Sequence, residues 1–274
     1  MDESQTMTEG AEQRSIELPP HAEHFHFNVG LIRVGNGYTT SVSLWNYFSP
    51  EIVGTDRIWA TAELEVYDAA GTLAARKRVR VAPSASLHME IAPLLGGGNC
   101  ADFGFGTAYL RLVPDEFAAR APGVSVPTEF MVEIRHASGT GEIVHNIGGR
   151  RVFPGLTQMG SGLWFSDETT FPRYVVFANN YFGPRLPLIG SGKAKLHFVN
   201  RHGEMRVLSS HTVPARGTLV IDVEAQMPDM QAYLGDWPAR VEVRAANLVS
   251  KPWVWYERRK AGSSAQHRFC IDHL

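Results

Sequence analysis

The chain holds few of the features by which a protein usually advertises its chemistry. Two cysteines in 274 residues are too few for a disulfide-built scaffold. No apolar run approaches the ~20 residues that a membrane helix needs. The first twenty residues, with Asp2, Glu3, Glu9 and Glu12, lack the basic and apolar regions of a secretory signal. A formal net charge of −2 creates no field that would attract nucleic acid or an anionic membrane. Residues 96–98 are all glycine but lack the following Lys-Ser/Thr pair and helix of a phosphate loop. Asp167 and Glu168 are adjacent, and neighbours in an extended chain point apart, so they make a poor acid/base pair. These absences lead us to expect a cytoplasmic globular protein without a nucleic-acid partner, a membrane span or a recognisable catalytic motif.

What the sequence does contain is alternation. Ile58, Ala60, Ala62, Leu64 and Val66 fall on one face of an extended segment, with Thr61, Glu63 and Glu65 on the other, the period of a strand with one buried side. Arg76, Arg78 and Arg80 follow on a second such segment, where pairing with Glu63 and Glu65 explains their charge. Similar segments recur at 28–34, 40–47, 86–91, 107–113, 129–136 and 142–147. They recur again at 162–165, 174–181, 194–199, 205–213, 218–223, 239–245, 253–257 and 267–271. Turns rich in Gly, Pro, Asn and Asp separate them. Short helical turns are expected only at 115–120 and 229–233.

The sequence also repeats itself. Asn46-Tyr47-Phe48-Ser49-Pro50 returns as Asn180-Tyr181-Phe182-Gly183-Pro184, and Ala62-Glu63-Leu64 as Ala194-Lys195-Leu196. Landmarks that keep their spacing across several segments point to two copies of one domain. The expected fold is all-β: two tandem antiparallel β-sandwiches, immunoglobulin-like or jelly-roll-like, arising by internal duplication. The expected layout is a disordered tail at 1–22, a first sandwich at 23–149, a linker at 150–160 and a second sandwich at 161–274. The connections at 92–105 and 224–237 occupy matching places and read as long Greek-key crossovers.

The run from Leu196 to Val223, with its Asn200-Arg201-His202-Gly203 and Val213-Pro214-Ala215-Arg216-Gly217-Thr218 turns, resembles bacterial immunoglobulin-like sandwich modules. It is similar to the domain of sensory-rhodopsin transducer proteins. The resemblance implies a strand–turn–strand unit of a sandwich and, through the transducers, a role as a signalling adaptor. The first copy departs from it, because residues 81–86 lack the Arg-Gly pair.

Candidate sites are few. His24 and His26 would project from one face of an extended segment, the arrangement that lets two imidazoles reach a divalent transition metal. The alternative for them is a solvated strand entry. Asn46, Tyr47, Asn180, Tyr181 and Trp164 could present hydrogen-bonding and stacking groups to a small polar ligand. The competing account of the repeated Asn-Tyr is a structural corner. Trp253, Trp255 and Tyr256 leave one strand apolar on both faces, which calls for a cover from the other copy or from another subunit. His267 matches His145 approximately, and Cys270 reads as a small buried hydrophobe. The leading functional expectation is a non-catalytic binding or scaffolding protein that self-associates or holds another protein. A His-based metal-assisted enzyme at the domain interface, and a signalling adaptor, are the alternatives.

Overall fold

The computed structural model describes residues 28–46, 59–96, 100–114, 130–145, 147–148, 157–164, 170–179, 192–234, 239–246, 252–258 and 268–273. His24, His26, Tyr47, Asn180, Tyr181 and His267 lie outside them. The described residues are almost all strand, and every paired strand is antiparallel.

Among the described residues, seventeen strands build four sheets. In the first half, β1 (Asn28–Val34), β3 (Ala60–Tyr67), β4 (Leu73–Val81), β6 (Gly104–Pro114) and β9 (Ile147–Gly148) form sheet 2, in the order β4-β3-β6-β1-β9. Strands β2 (Tyr38–Trp45), β5 (Ser86–Glu90), β7 (Phe130–His136) and β8 (Gly141–His145) form sheet 1, in the order β5-β2-β7-β8. In the second half, β11 (Thr170–Ala178), β14 (Thr218–Asp222), β16 (Trp253–Arg258) and β17 (Arg268–His273) form sheet 3, in the order β14-β11-β16-β17. Strands β10 (Thr157–Trp164), β12 (Gly192–Val199), β13 (Met205–Val213) and β15 (Ala239–Ala246) form sheet 4, in the order β10-β15-β12-β13. Taken in chain order, sheet 3 repeats the arrangement of sheet 1, and sheet 4 repeats the first four strands of sheet 2. Strand β10 begins at Thr157, inside the stretch where the sequence suggests a linker.

Alternation sets the layers. Ala60, Ala62, Leu64 and Val66 are buried, and they pack with Val42, Leu44, Val132 and Ile134 between sheets 1 and 2. Leu196, Phe198, Val175, Phe177 and Val254 do the same between sheets 3 and 4. A third core joins the halves: Val29, Leu31, Tyr67 and Tyr109 meet Val176, Ala178 and Trp253. Sheet 2 therefore buries both faces, as does sheet 3, and the four layers stack 1–2–3–4.

The connections match in kind. A 3-10 turn at Ala92–Leu95 bridges β5 to β6, and α1 (Val223–Gln226) with α2 (Met230–Leu234) bridges β14 to β15. Asp222 caps α1 through a 2.9 Å bond from Ala225 N, the usual service of an acidic N-cap. Glu65 and Glu63 pair with Arg76 at 2.6 Å and Arg78 at 2.8 Å, as the alternation suggests. Arg80 instead lies over the Trp59 ring, 4.5 Å from its centroid.

Candidate functional site

The two Asn corners show how the repeat is built. Asn46 N donates to Ala85 O at 2.9 Å, and its Nδ2 reaches Val81 O and Ala82 O. In the second half the residue with these bonds is Asn179, whose N donates to Gly217 O and whose Nδ2 faces Val213 O. The sequence match to Asn180 is thus one residue out of register. Both side chains are buried, so Asn46 serves the backbone of its own corner and is turned away from any ligand. Trp164 sits on β10, opposite Ala239. His145 likewise finds its counterpart in His273, because they pair with Met131 and Trp253 at matching ladder positions.

Trp253 and Trp255 are both 0% exposed, and their cover is the first half of the same chain. The Trp255 ring stacks on Phe269 at 4.4 Å and 8°, and meets Phe105 and Tyr38 edge-on at 5.5 Å each. Tyr256 faces the other way, into the core between sheets 3 and 4. A surface for another subunit is therefore not at these three residues. Cys270 is exposed on strand β17 rather than buried, and neither cysteine is in a disulfide.

Arg33 occupies the centre of this junction. Its guanidinium lies 3.7 Å from the Tyr38 ring centroid, 4.5 Å from Trp255, 4.6 Å from Phe105 and 5.5 Å from Tyr174. Burial pushes its pKa below the ordinary value, while the fields of Tyr38, Tyr174 and Glu257 oppose that shift. Among the described residues Nη1 has no hydrogen-bond acceptor, and the ring faces take the place of one.

A polar rim closes the junction. Tyr109 Oη donates to Asn179 O at 3.1 Å and Thr218 N to Ala69 O at 3.0 Å, while Arg216 bonds Tyr67 Oη. The Arg-Gly pair that only the second half carries finds its use here. Arg216 reaches across from a turn residue with φ 57, and a Cβ on Gly217 would come within 2.7 Å of Ala69 O.

The open face is the outer side of sheet 1. Ser41, Ser43 and Trp45 alternate there along β2, with Glu90, His88 and Ser86 opposite on β5, and Glu133 and Met131 opposite on β7. Thr39, Thr40, Ser41, His88, Glu90, Ala92, Glu133 and Arg135 line a shallow cleft of about 120 Å³. Its polar groups are tied together: Ser43 Oγ and His88 Nδ1 lie 2.8 Å apart, Arg135 Nε donates to Glu133 Oε1 at 2.7 Å, and Ser41 Oγ lies 3.5 Å from Glu133 Oε2. Trp45, although 57% exposed, donates its Nε1–H to Ser84 O at 3.0 Å.

No family model matches the chain, and no curated protein does. A solved structure, a β-glucuronidase from glycoside hydrolase family 2, is similar over 95% of this chain at 6% identity and a TM-score of 0.19. The chain spans only 25% of that structure's length, and at so low a score the likeness carries no argument.

The two halves use one face in opposite ways. At ladder positions where sheet 1 has Ser41, Ser43, His88 and Glu133, sheet 3 has Tyr174, Val176, Val220 and Trp255. In sheet 3 the face is apolar and packs on sheet 2; in sheet 1 it is polar and open. The Ser41-Val42-Ser43-Leu44-Trp45 alternation is legible in sequence. Its partners stand on strands tens of residues away, and only the register brings them together. Among the described residues no group of three or more His, Cys, Asp or Glu is placed to hold a metal, and no helix is long and apolar enough to cross a membrane.

Proposed function

We propose that the protein is a non-catalytic binding or scaffolding module whose working surface is the outer face of sheet 1. The observation that carries this reading is the contrast just described. A surface that the second half spends on joining the halves is kept open in the first, polar, and fitted with a cleft. The shared strand order supports an internal duplication followed by divergence of this face. We read the boundaries as two sandwiches, the first at 23–149 and the second taking in β10 from Thr157 and running to 274, and the setting as cytoplasmic. The partner is a small polar ligand or another protein.

The specific rival is a hydrolase built on Ser43 and His88, whose 2.8 Å contact resembles a nucleophile–base pair. Among the described residues both side chains stand on an open sheet face, with His88 lining a shallow cleft, which disfavours a water-excluded transition state. Chromogenic ester and glycoside substrates test this directly. We expect turnover at the buffer rate; turnover that disappears in His88→Ala would overturn the non-catalytic reading. The adaptor reading suggested by the transducer resemblance is a version of the same proposal with a protein on the face. Binding of an extended peptide at sheet 1 would favour it.

A further inference from the structure

Resting on that reading, we propose that the outer face of sheet 1 binds a neutral oligosaccharide, with the cleft beside Ser41 and the Trp45 indole as separate subsites. A sugar ring offers an apolar C–H face and a rim of hydroxyls that both donate and accept. The face of sheet 1 supplies the complement of each. Trp45 projects an indole that is 57% exposed, and its Nε1–H bond to Ser84 O holds the ring in one orientation. A fixed, exposed ring is a stacking platform that costs little entropy to use. The cleft brings the Ser41 hydroxyl, His88 and the carboxylates of Glu90 and Glu133 together, a mixture of donors and acceptors suited to hydroxyl groups.

Charge argues against an anionic ligand. Arg135 is answered by Glu133 at 2.7 Å, which leaves Glu90 as the uncompensated charge among the cleft residues. A second copy of the chain is a poor occupant as well. Each exposed apolar side chain faces a polar partner across the ladder: Trp45 faces Ser86, Met131 faces Ser43 and Ile143 faces Glu133. Along the diagonals Trp45 neighbours Met131 and Met131 neighbours Ile143, so the apolar exposure of this face is a thin stripe set among Ser43, Ser86 and Glu133 rather than a broad patch of the kind that stable association uses. Ser41 and Trp45 are about 13 Å apart along β2 at the usual strand rise, so the ligand is an extended oligomer rather than a single ring.

The test is titration calorimetry of the full chain against short neutral oligosaccharides of the glucan, mannan, galactan and xylan series, alongside a library of extended peptides. We expect at least one saccharide series to bind, with Trp45→Ala weakening it about tenfold, as the loss of one aromatic platform implies. Glu90→Gln should weaken it too. Both residues are exposed, so the urea midpoint of each variant should match the parent. Saccharide binding indifferent to both substitutions overturns the proposal. Peptide binding that Trp45→Ala abolishes, without any saccharide binding, overturns the ligand class and leaves the binding face standing. No binding from either panel at millimolar concentration removes both.

Discussion

Replacing Trp255 with Ala tests whether the halves are one folded unit. The side chain is wholly buried between sheets 2 and 3, stacked on Phe269 and edge-on to Phe105 and Tyr38, with the Arg33 guanidinium over its face. Deleting a buried Trp costs about 3–5 kcal/mol through lost transfer energy and the cavity left behind. The stacked pair with Phe269 contributes about 0.5–1.5 kcal/mol of specific geometry. Loss of the ring also removes one wall from Arg33, which keeps Tyr38, Phe105 and Tyr174. The total therefore belongs near the upper end of the range. Each half retains its own core, so damage confined to the junction should also split the unfolding into two steps. Urea denaturation followed by far-UV circular dichroism reads both effects. We expect one transition in the parent and two in Trp255→Ala, with the less stable step shifted by the amount above. A single transition shifted by less than about 0.5 kcal/mol, the range of an ordinary surface change, would refute the shared core.

Three further outcomes follow from the junction and the corners. Burial and the bond to Glu65 push the Tyr67 pKa up to about 12, so its neutral form is favoured in the folded state. That contribution is complete below the ordinary value of 10 and is lost as pH rises through about 12; alkaline unfolding of Tyr67→Phe should be shallower across that window. Burial alone would raise the Glu65 carboxyl, yet hydrogen bonds from Tyr67 and Arg76 hold it below 4.5. Its share of stability is present above that pH and falls away in acid, and Glu65→Gln should flatten the acid limb of a stability–pH curve. Gly71 has φ +83, and a Cβ there would stand 2.1 Å from Ala215 O. Gly71→Ala should cost about 1–3 kcal/mol from backbone strain alone, more with the clash, and calorimetry should show a lower Tm.

Strand positions were the part most legible in the sequence, because a period of two survives wherever one face is buried. The expected segments at 28–34 and 205–213 coincide with β1 and β13, and Ala60, Ala62, Leu64 and Val66 alternate into the core along β3. Strand β10 was harder to delimit, since Thr157, Gln158, Gly160, Ser161 and Gly162 carry little hydrophobic signal, and its extent emerges only from pairing with β15. The apolar character of β16 was plain, but what covers it was not. That depends on which sheet faces which, a long-range fact that alternation does not encode. Arg33 gave no signal at all: a single Arg in β1 looks like an outward charge until four rings from both halves converge on it. The open face failed for a related reason, since its polar residues come from three strands and form no linear motif.

The junction joins two different surfaces, the outer side of sheet 3 to the outer side of sheet 2. A union of that kind does not close on itself; if both halves kept both surfaces, molecules would add end to end into a fibre. On the duplication we propose, one of these surfaces has diverged. Ser41, Ser43, His88 and Glu133 stand on the sheet 1 face at the ladder positions where sheet 3 has Tyr174, Val176, Val220 and Trp255. On that reading the protein is a polymer stopped at two units, and the residues that stop it on one side are those of the proposed binding face.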